Sequence, residues 1–394
     1  METIVRIAAR GDGVTETNRH VPLAAPGDLV GEDGAVTPGP HHVPPPCRHF
    51  PECGGCQLQH LDEGAYAAFV TDRIAAALAS QGIVAPEILP PHISPPLSRR
   101  RAALSAEKRG NRMLLGFKAE ASHRILDMRE CHILRPELFA LIEPLRRLTG
   151  ELLAQRKAAT VRVTLADQGP DVLIENVAAD GLRSAEALSA FAEGHHLARL
   201  AIDEGFGPQT RWEPEPVTIT LGGVAVPLPY GAFLQATREG EAALVEAVRL
   251  GLGGAQIVAD LFAGLGTFAL SIEGRIFAAD GDRDAVLALK SAANRAQRQI
   301  FVDYRDLFRA PLDEKELARF VAVVLDPPRA GAKEQAAHLA RSAVANIAYV
   351  SCNPATFARD AKMLIDGGYR LAWVKPVGQF RWSTHVELAA AFTR

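Results

Sequence analysis

Cysteine is scarce in this 394-residue chain, with five in all, so a disulfide framework is excluded as the source of its stability. Long apolar runs are absent too. The longest weakly polar stretch, 251–272, is broken by Asp260 and several glycines, which rules out a membrane-spanning helix, and the first residues lack the basic-then-apolar pattern of a leader. A cytoplasmic protein without membrane contact is therefore expected. Neither sign of charge is in large excess: a net charge of −3, with 23% charged and 48% hydrophobic residues, excludes disorder, collagen and coiled coil. The length suits two or three domains, each able to bury its own core, and a monomer is expected.

Charge is unevenly placed along the chain. Residues 97–135 carry ten basic side chains (Arg99, Arg100, Arg101, Lys108, Arg109, Arg112, Lys118, Arg124, Arg129, Arg135) against four acidic ones (Glu107, Glu120, Asp127, Glu130). Arginine's planar fork matches phosphate oxygens, which makes the segment a candidate for nucleic-acid contact; a solvated face is the competing reading.

The few cysteines are grouped. Cys47-x5-Cys53-Gly-Gly-Cys56 follows a triple proline, and the glycines let several sulfurs face one point. Three clustered cysteines cannot all pair among themselves, so a metal or cluster with a fourth thiolate is expected; Cys131 is assigned to it and Cys352 is not. Four thiolates suit tetrahedral zinc or a [4Fe–4S] cluster. One pair with two outliers lacks the paired knuckles of zinc ribbons and leans towards iron–sulfur.

Short β-type runs at 3–9 and 20–23 precede a Gly/Pro-rich linker ending at Pro46. Residues 62–80 have helical periodicity, with Asp62 as N-cap and Gly82 beyond the end, and this helix is placed against the catalytic domain. Strands are expected at 160–165 and 171–177, and helices at 135–154 and 181–192, giving a mixed α/β middle. Pro208, Pro214 and Pro216 mark a boundary region. Beyond about residue 231, apolar runs at 256–262, 275–279, 321–325 and 347–350 alternate with helical segments, which predicts a parallel sheet covered on both faces. Ligands of such sheets bind beyond the carboxyl ends of the strands.

The expected strand ends carry the chemistry. Asp260-Leu-Phe262-Ala-Gly264-Leu-Gly266 reads as a glycine turn running into a helix, with Asp280 at the next strand end. The two carboxylates suit the ammonium and ribose of S-adenosylmethionine better than a dinucleotide, whose pyrophosphate gains nothing from Asp260. The Asp326-Pro-Pro turn pushes a carboxylate into the cleft. It is similar to the Asp-Pro-Pro-aromatic turn of base amino-methyltransferases, but Arg329 replaces the aromatic platform. Cys352, just ahead of a helix, is expected to have a lowered pKa and to act as a nucleophile. A thiolate adding to C6 of a pyrimidine makes C5 able to attack a sulfonium methyl group, after which a base must remove the C5 proton. Glu387 in an apolar strand is the candidate base; His385 competes for the role.

Taken together, these residues resemble the bacterial RNA (uracil-5-)-methyltransferases, particularly the iron–sulfur group acting on 23S ribosomal RNA. The resemblance rests on the four-cysteine set with Gln57-Leu-Gln-His60, Phe233-Leu-Gln235, the turn from Asp260 to Gly266, Asp326-Pro-Pro-Arg-Ala-Gly, Ser351-Cys-Asn-Pro-Ala-Thr and His385-Val-Glu387. It implies a Rossmann-like class I methyltransferase domain at 231–394 and a central α/β domain at 46–230 holding a [4Fe–4S] cluster on Cys47, Cys53, Cys56 and Cys131. It further implies Cys352 as nucleophile, Glu387 as base, and cofactor contacts from Gln235, Phe262, Gly264, Gly266, Asp280 and Asp326. The family's five-stranded N-terminal TRAM barrel is expected to be truncated, since 1–45 is short for it. Thr237 and Thr267 stand where the family often has Asn, and Asp280 where it has Glu. The implied substrate is a flipped uridine in RNA, most readily 23S rRNA. A transfer-RNA methyltransferase, a nicotinamide dehydrogenase and a non-catalytic iron–sulfur RNA binder are the alternatives.

Overall fold

The computed structural model describes residues 1–84, 87–153 and 157–394. Its largest sheet has nine strands. Ile300–Tyr304, Arg275–Asp280, Ile257–Leu261, Ala322–Leu325 and Asn346–Ser351 run parallel in that spatial order. Glu387–Thr393 then pairs antiparallel with both Asn346–Ser351 and Arg370–Gly378. The central strands are apolar on both faces because helices cover both, the pattern that made them legible. The antiparallel pair adds a feature that strand–helix alternation did not announce.

The helix Glu63–Ser80 is capped by Asp62, whose side chain accepts from the Ala65 amide at 2.7 Å. It buries Phe69, Val70, Ile74 and Leu78 in the same core as the catalytic sheet. Glu87–Ile88 and His92–Ile93 pair alongside Arg370–Gly378. At the other end of the middle region, the hairpin Thr218–Leu221 and Val224–Pro227 joins the core formed with Leu244 and Val248. Segments on both sides of the six-stranded region thus pack into the cores of the nine-stranded sheet.

The central domain is a six-stranded sheet ordered Pro208–Trp212, Arg199–Asp203, Gly169–Glu175, Ala158–Ala166, Arg101–Arg109, Arg112–Gly116. Alternation places Leu104, Val161 and Val163 in a core with Leu145 and Leu188 from the helices Ile142–Leu152 and Leu182–Gly194. The helix expected over 135–154 is two, Pro136–Phe139 and Ile142–Leu152. Pro144 supplies the reason: it has no N–H for the Ala140 carbonyl, and its ring would clash there. Ala154 lies outside the described residues.

At the N-terminus the structure corrects the expectation of two strands. Glu2–Ile7 lies at the centre of five short antiparallel strands, with Gly13–Thr15, His20–Val21, Leu29–Val30 and Val36–Thr37, around a core of Ile4, Val21, Ala24 and Val30. Two-residue strands are too short to show any period, which is why the sequence concealed them.

Candidate active site

A cavity of about 450 Å³ opens at the carboxyl ends of the central strands, lined among others by Gln235, Phe262, Gly264, Asp280, Asp326, Cys352 and Glu387. Seven of the eight candidate catalytic and cofactor-binding residues meet there, drawn from six separate segments. Gly266 does not line it. With φ of +91° and a Cβ that would fall 2.4 Å from Leu289, Gly266 serves the close packing of the turn instead.

The glycine turn differs from expectation in form. Phe262, Gly264 and Gly266 all have positive φ, and the segment from Phe262 to Ser271 is a run of turns rather than a helix. Asp280 fixes it by accepting from the Gly264 amide at 2.8 Å and, through its other oxygen, from the Asp282 amide at 2.7 Å. Asp260, expected to face the ammonium of a methyl donor, is fully buried and does not line the cavity. One of its oxygens accepts from the Ala269 amide at 2.8 Å and the other has no hydrogen-bond partner among the described residues. Burial, then the charge of Asp326, pushes its carboxyl up to about 8. Phe262 packs against Phe308 at 5.3 Å between ring centroids, and both line the cavity.

Cys352 sits between Asn346–Ser351 and the helix Pro354–Asp366, where Asn353 is the N-cap. The expected low pKa is not found. Desolvation, followed by the negative charges of Glu387 and Asp326, pushes the thiol up to about 11, outweighing the helix terminus and Arg329. Glu387 is buried, which rejects a surface role for it, and burial pushes its carboxyl up to about 7. Asp326 is likewise pushed up to about 8 by desolvation, with Glu387 and Asp280 adding to it. His385 is exposed and lies on the rim, not in the cavity. Of the departures from the family pattern, Thr267 lines the cavity, whereas Thr237 caps the helix Arg238–Leu252 by accepting from the Gly240 amide at 2.9 Å.

Sequence reasoning missed Gln379. It is 1% exposed, bonds both Gln235 and Glu387, and accepts from the Ala236 amide at 2.7 Å. A single glutamine in an ordinary strand context gives no signal of its own. The nearby buried Arg100, donating to the Gln235 carbonyl at 3.0 Å and paired with Glu241, fastens the same loop from the other side.

The structure also sorts the basic segment. Arg109, Arg112, Arg124, Arg129 and Arg135 are spent on exposed ion pairs, and Arg100 on the buried one. Arg99, Arg101 and Lys118 instead line a groove that runs from the open face of the central sheet to Cys352. Aromatic rings interleave with them: Arg101 lies 4.6 Å from the Phe233 ring, and Arg99 5.4 Å from that of Phe380. On the other side of Cys352, Arg10, Arg73 and Arg329 line a second recess.

Cys47, Cys53, Cys56 and Cys131 border one small cavity together, walled by Phe117, Leu126, Met128 and Ile133. Desolvation raises all four thiols, Cys47 to about 11. Among the described residues, no three His, Cys, Asp or Glu side chains are drawn into a metal-coordinating arrangement. The sulfurs border a space; they do not close on one point.

Comparison with known proteins gives the family of the chain. Residues 292–394 match the family model described as tRNA (uracil-5-)-methyltransferase. A protein of Zymomonas mobilis described as an uncharacterized RNA methyltransferase is 53% identical over the whole of both chains. The 23S rRNA (uracil(1939)-C(5))-methyltransferase RlmD of Aliivibrio salmonicida is 30% identical over 89% of this chain and 82% of its own. In fold, the crystal structure of the Pyrococcus abyssi tRNA (uracil-54, C5)-methyltransferase with S-adenosyl-L-homocysteine superimposes with a TM-score of 0.77, at 21% identity and full coverage of both. The chain belongs to the RNA (uracil-5-)-methyltransferase family and is an enzyme that methylates RNA.

Proposed function

We propose that the enzyme methylates C5 of a uridine in 23S rRNA, with Cys352 as nucleophile and Glu387 as base. The observation that carries this reading is the convergence of Cys352, Asp326 and Glu387 on one cavity with the glycine turn and Asp280. Its volume, about 450 Å³, lies within the ordinary range for small-molecule sites. Phe262 and Phe308 offer apolar walls for an adenine, and Asp280 a carboxylate for ribose hydroxyls. Gln235, Gly264 and Asp326 complete the cofactor wall, while Gly266 shapes the turn.

Cys352 adds its sulfur to C6 of the flipped base, its thiol proton passing to a neighbouring carboxylate or to water. The electron pair released towards C5 attacks the sulfonium methyl group, forming the C5–CH3 bond and breaking the S–CH3 bond. Glu387 then takes the C5 proton, the C5–C6 double bond re-forms and the Cys352 sulfur leaves. Because desolvation, and after it the neighbouring carboxylates, hold the thiol protonated in the free protein, a cationic methyl donor entering between Asp326 and Glu387 favours the thiolate when it is needed. Arg99, Arg101 and Lys118 in the groove, with Arg10, Arg73 and Arg329 beyond, supply phosphate contacts that offset unstacking of the uridine.

The four cysteines are proposed to hold a [4Fe–4S] cluster. What supports a cluster over zinc is the spacing, one close pair with two outlying cysteines and no paired knuckles, together with the four residues bordering one cavity. The cluster would tie the cysteine loop to the central sheet; no step of methyl transfer passes through it.

Methylation of total RNA with methyl-labelled donor, followed by separation of ribosomal and transfer RNA and nucleoside analysis, tests the target. Label recovered as 5-methyluridine in 23S rRNA is expected. Recovery in transfer RNA would favour the substrate named by the matching family model, and label on another nucleoside would overturn the chemistry.

A further inference from the structure

We propose that Gln379 is a positioning residue for proton removal: it holds one oxygen of the Glu387 carboxylate and the side-chain carbonyl of Gln235, leaving one oxygen of the base free for the C5 proton. The inference rests on the reading of Glu387 as base.

The polarity of the network starts from a group that cannot be reversed. The Ala236 backbone N–H donates to Gln379 Oε1 at 2.7 Å, and since an N–H cannot accept, the amide of Gln379 has only one orientation. Its Nε2 must then be the donor to Gln235 Oε1, at 2.7 Å, and to Glu387 Oε2. Both hydrogens of that nitrogen are thereby used. Gln235 is obliged to turn its oxygen inward, so its own amide nitrogen is the atom left for the cavity. Glu387 Oε2, engaged as an acceptor, is a poor place for a proton, while Oε1 has no hydrogen-bond partner among the described residues and is not sealed from solvent.

Gln379 has little room to move. A Cβ built on Gly240 would come within 2.7 Å of the Gln379 Cβ and 3.2 Å of its Oε1, so the absent side chain at 240 is what admits the glutamine. The hydrogen bond from Gln379 also opposes the upward push of burial on Glu387, as does the charge of Arg101. The other titratable groups facing Glu387 are Asp326 and Cys352, with Asp280 beyond them; these are common to wild type and variant, so a difference between the two isolates the glutamine.

Gln379→Leu keeps the volume and removes all three hydrogen bonds. The expected result is a kcat lower by about 10–100-fold and an acid limb of the pH profile moved to higher pH. Methyl transfer precedes proton removal, so a covalent protein–RNA adduct should also accumulate on ordinary uridine substrate. Gly240→Ala should produce the same signature in weaker form by displacing the glutamine, and it serves in place of the first variant should that one fail to fold. Turnover within twofold of wild type, or a loss of rate without adduct and without a moved acid limb, would overturn the proposal. If wild type forms no adduct even with 5-fluorouridine RNA, the fault lies with the reading of Cys352 and Glu387 instead.

Discussion

Two sets of thiols in this chain are raised, chiefly by desolvation in both, yet they stand among different neighbours. Cys47, Cys53, Cys56 and Cys131 are raised chiefly because they are enclosed by apolar side chains. Cys352 is exposed, and after desolvation the charges of Glu387 and Asp326 keep its proton on. An enclosed sulfur gains its ionised form from a metal that replaces the proton. One held by neighbouring carboxylates gains it whenever a cation arrives between them. The same element thus reads as structural in one place and reactive in the other, from surroundings alone.

The sharpest way to break that contrast is to delete one sulfur from each set. Cys352→Ala should lower methyl transfer by about 10³-fold or more, with folding intact since the side chain is exposed. Cys56→Ser should instead cost iron and thermal stability, read by iron analysis and melting, while the residual folded fraction still forms adducts. If Cys56→Ser abolished adduct formation in folded protein and Cys352→Ala did not, the assignments would be reversed.

Next in size is the base. Glu387→Gln should slow turnover by about 10²–10⁴-fold and trap the adduct. Because burial raises the carboxyl to about 7, the base is ionised above that value and protonated below it. Steady-state rate should therefore fall about tenfold per pH unit on the acid side of pH 7.

Smaller effects are expected from the arginines that flank Cys352. Arg73→Ala or Arg329→Ala should raise the KM for RNA and reduce the salt dependence of RNA binding by about one phosphate contact each, with donor affinity unchanged. Arg112→Ala, whose partner Asp127 also pairs with Arg129 and Arg146, should change RNA affinity little.

The smallest expected effect concerns Asp260. A carboxyl raised from its ordinary range to about 8 by burial favours the folded state in full only below the unfolded-state range near about 4, and that contribution drains away as pH rises until it is gone above 8. Asp260→Asn, which can still accept from Ala269, should accordingly gain stability relative to wild type by about 1 kcal/mol per pH unit between about pH 4 and 8 and level off above, measured by chemical unfolding at pH 4, 6 and 9.

Legibility followed from how much local chemistry each element carries. The strands ending at Leu261, Asp280, Leu325 and Ser351 are apolar runs cut off by glycine or proline, so their ends, and with them the cavity, could be placed from sequence. Asp62 announced its helix in the same way. Illegible features depend on contacts remote in sequence: Gln379 acquires its role from Ala236, Gln235 and Gly240, and the five N-terminal strands are held by tertiary pairing of two to six residues each. The pKa of Cys352 was misjudged because the helix behind it is visible in sequence, whereas the carboxylates beside it come from segments 26 and 35 residues away. Asp260 was misplaced for a related reason, since a strand-end aspartate can turn towards its own turn's amides as readily as towards a ligand.

The most direct measurement is incubation of the enzyme with S-adenosylmethionine and RNA carrying 5-fluorouridine, followed by denaturing electrophoresis. Fluorine at C5 leaves no proton for Glu387 to remove, so a methylated protein–RNA adduct linked through Cys352 should persist in wild type and vanish in Cys352→Ala. An adduct that survives the loss of that sulfur, or label reaching RNA at the wild-type rate without it, would contradict the account.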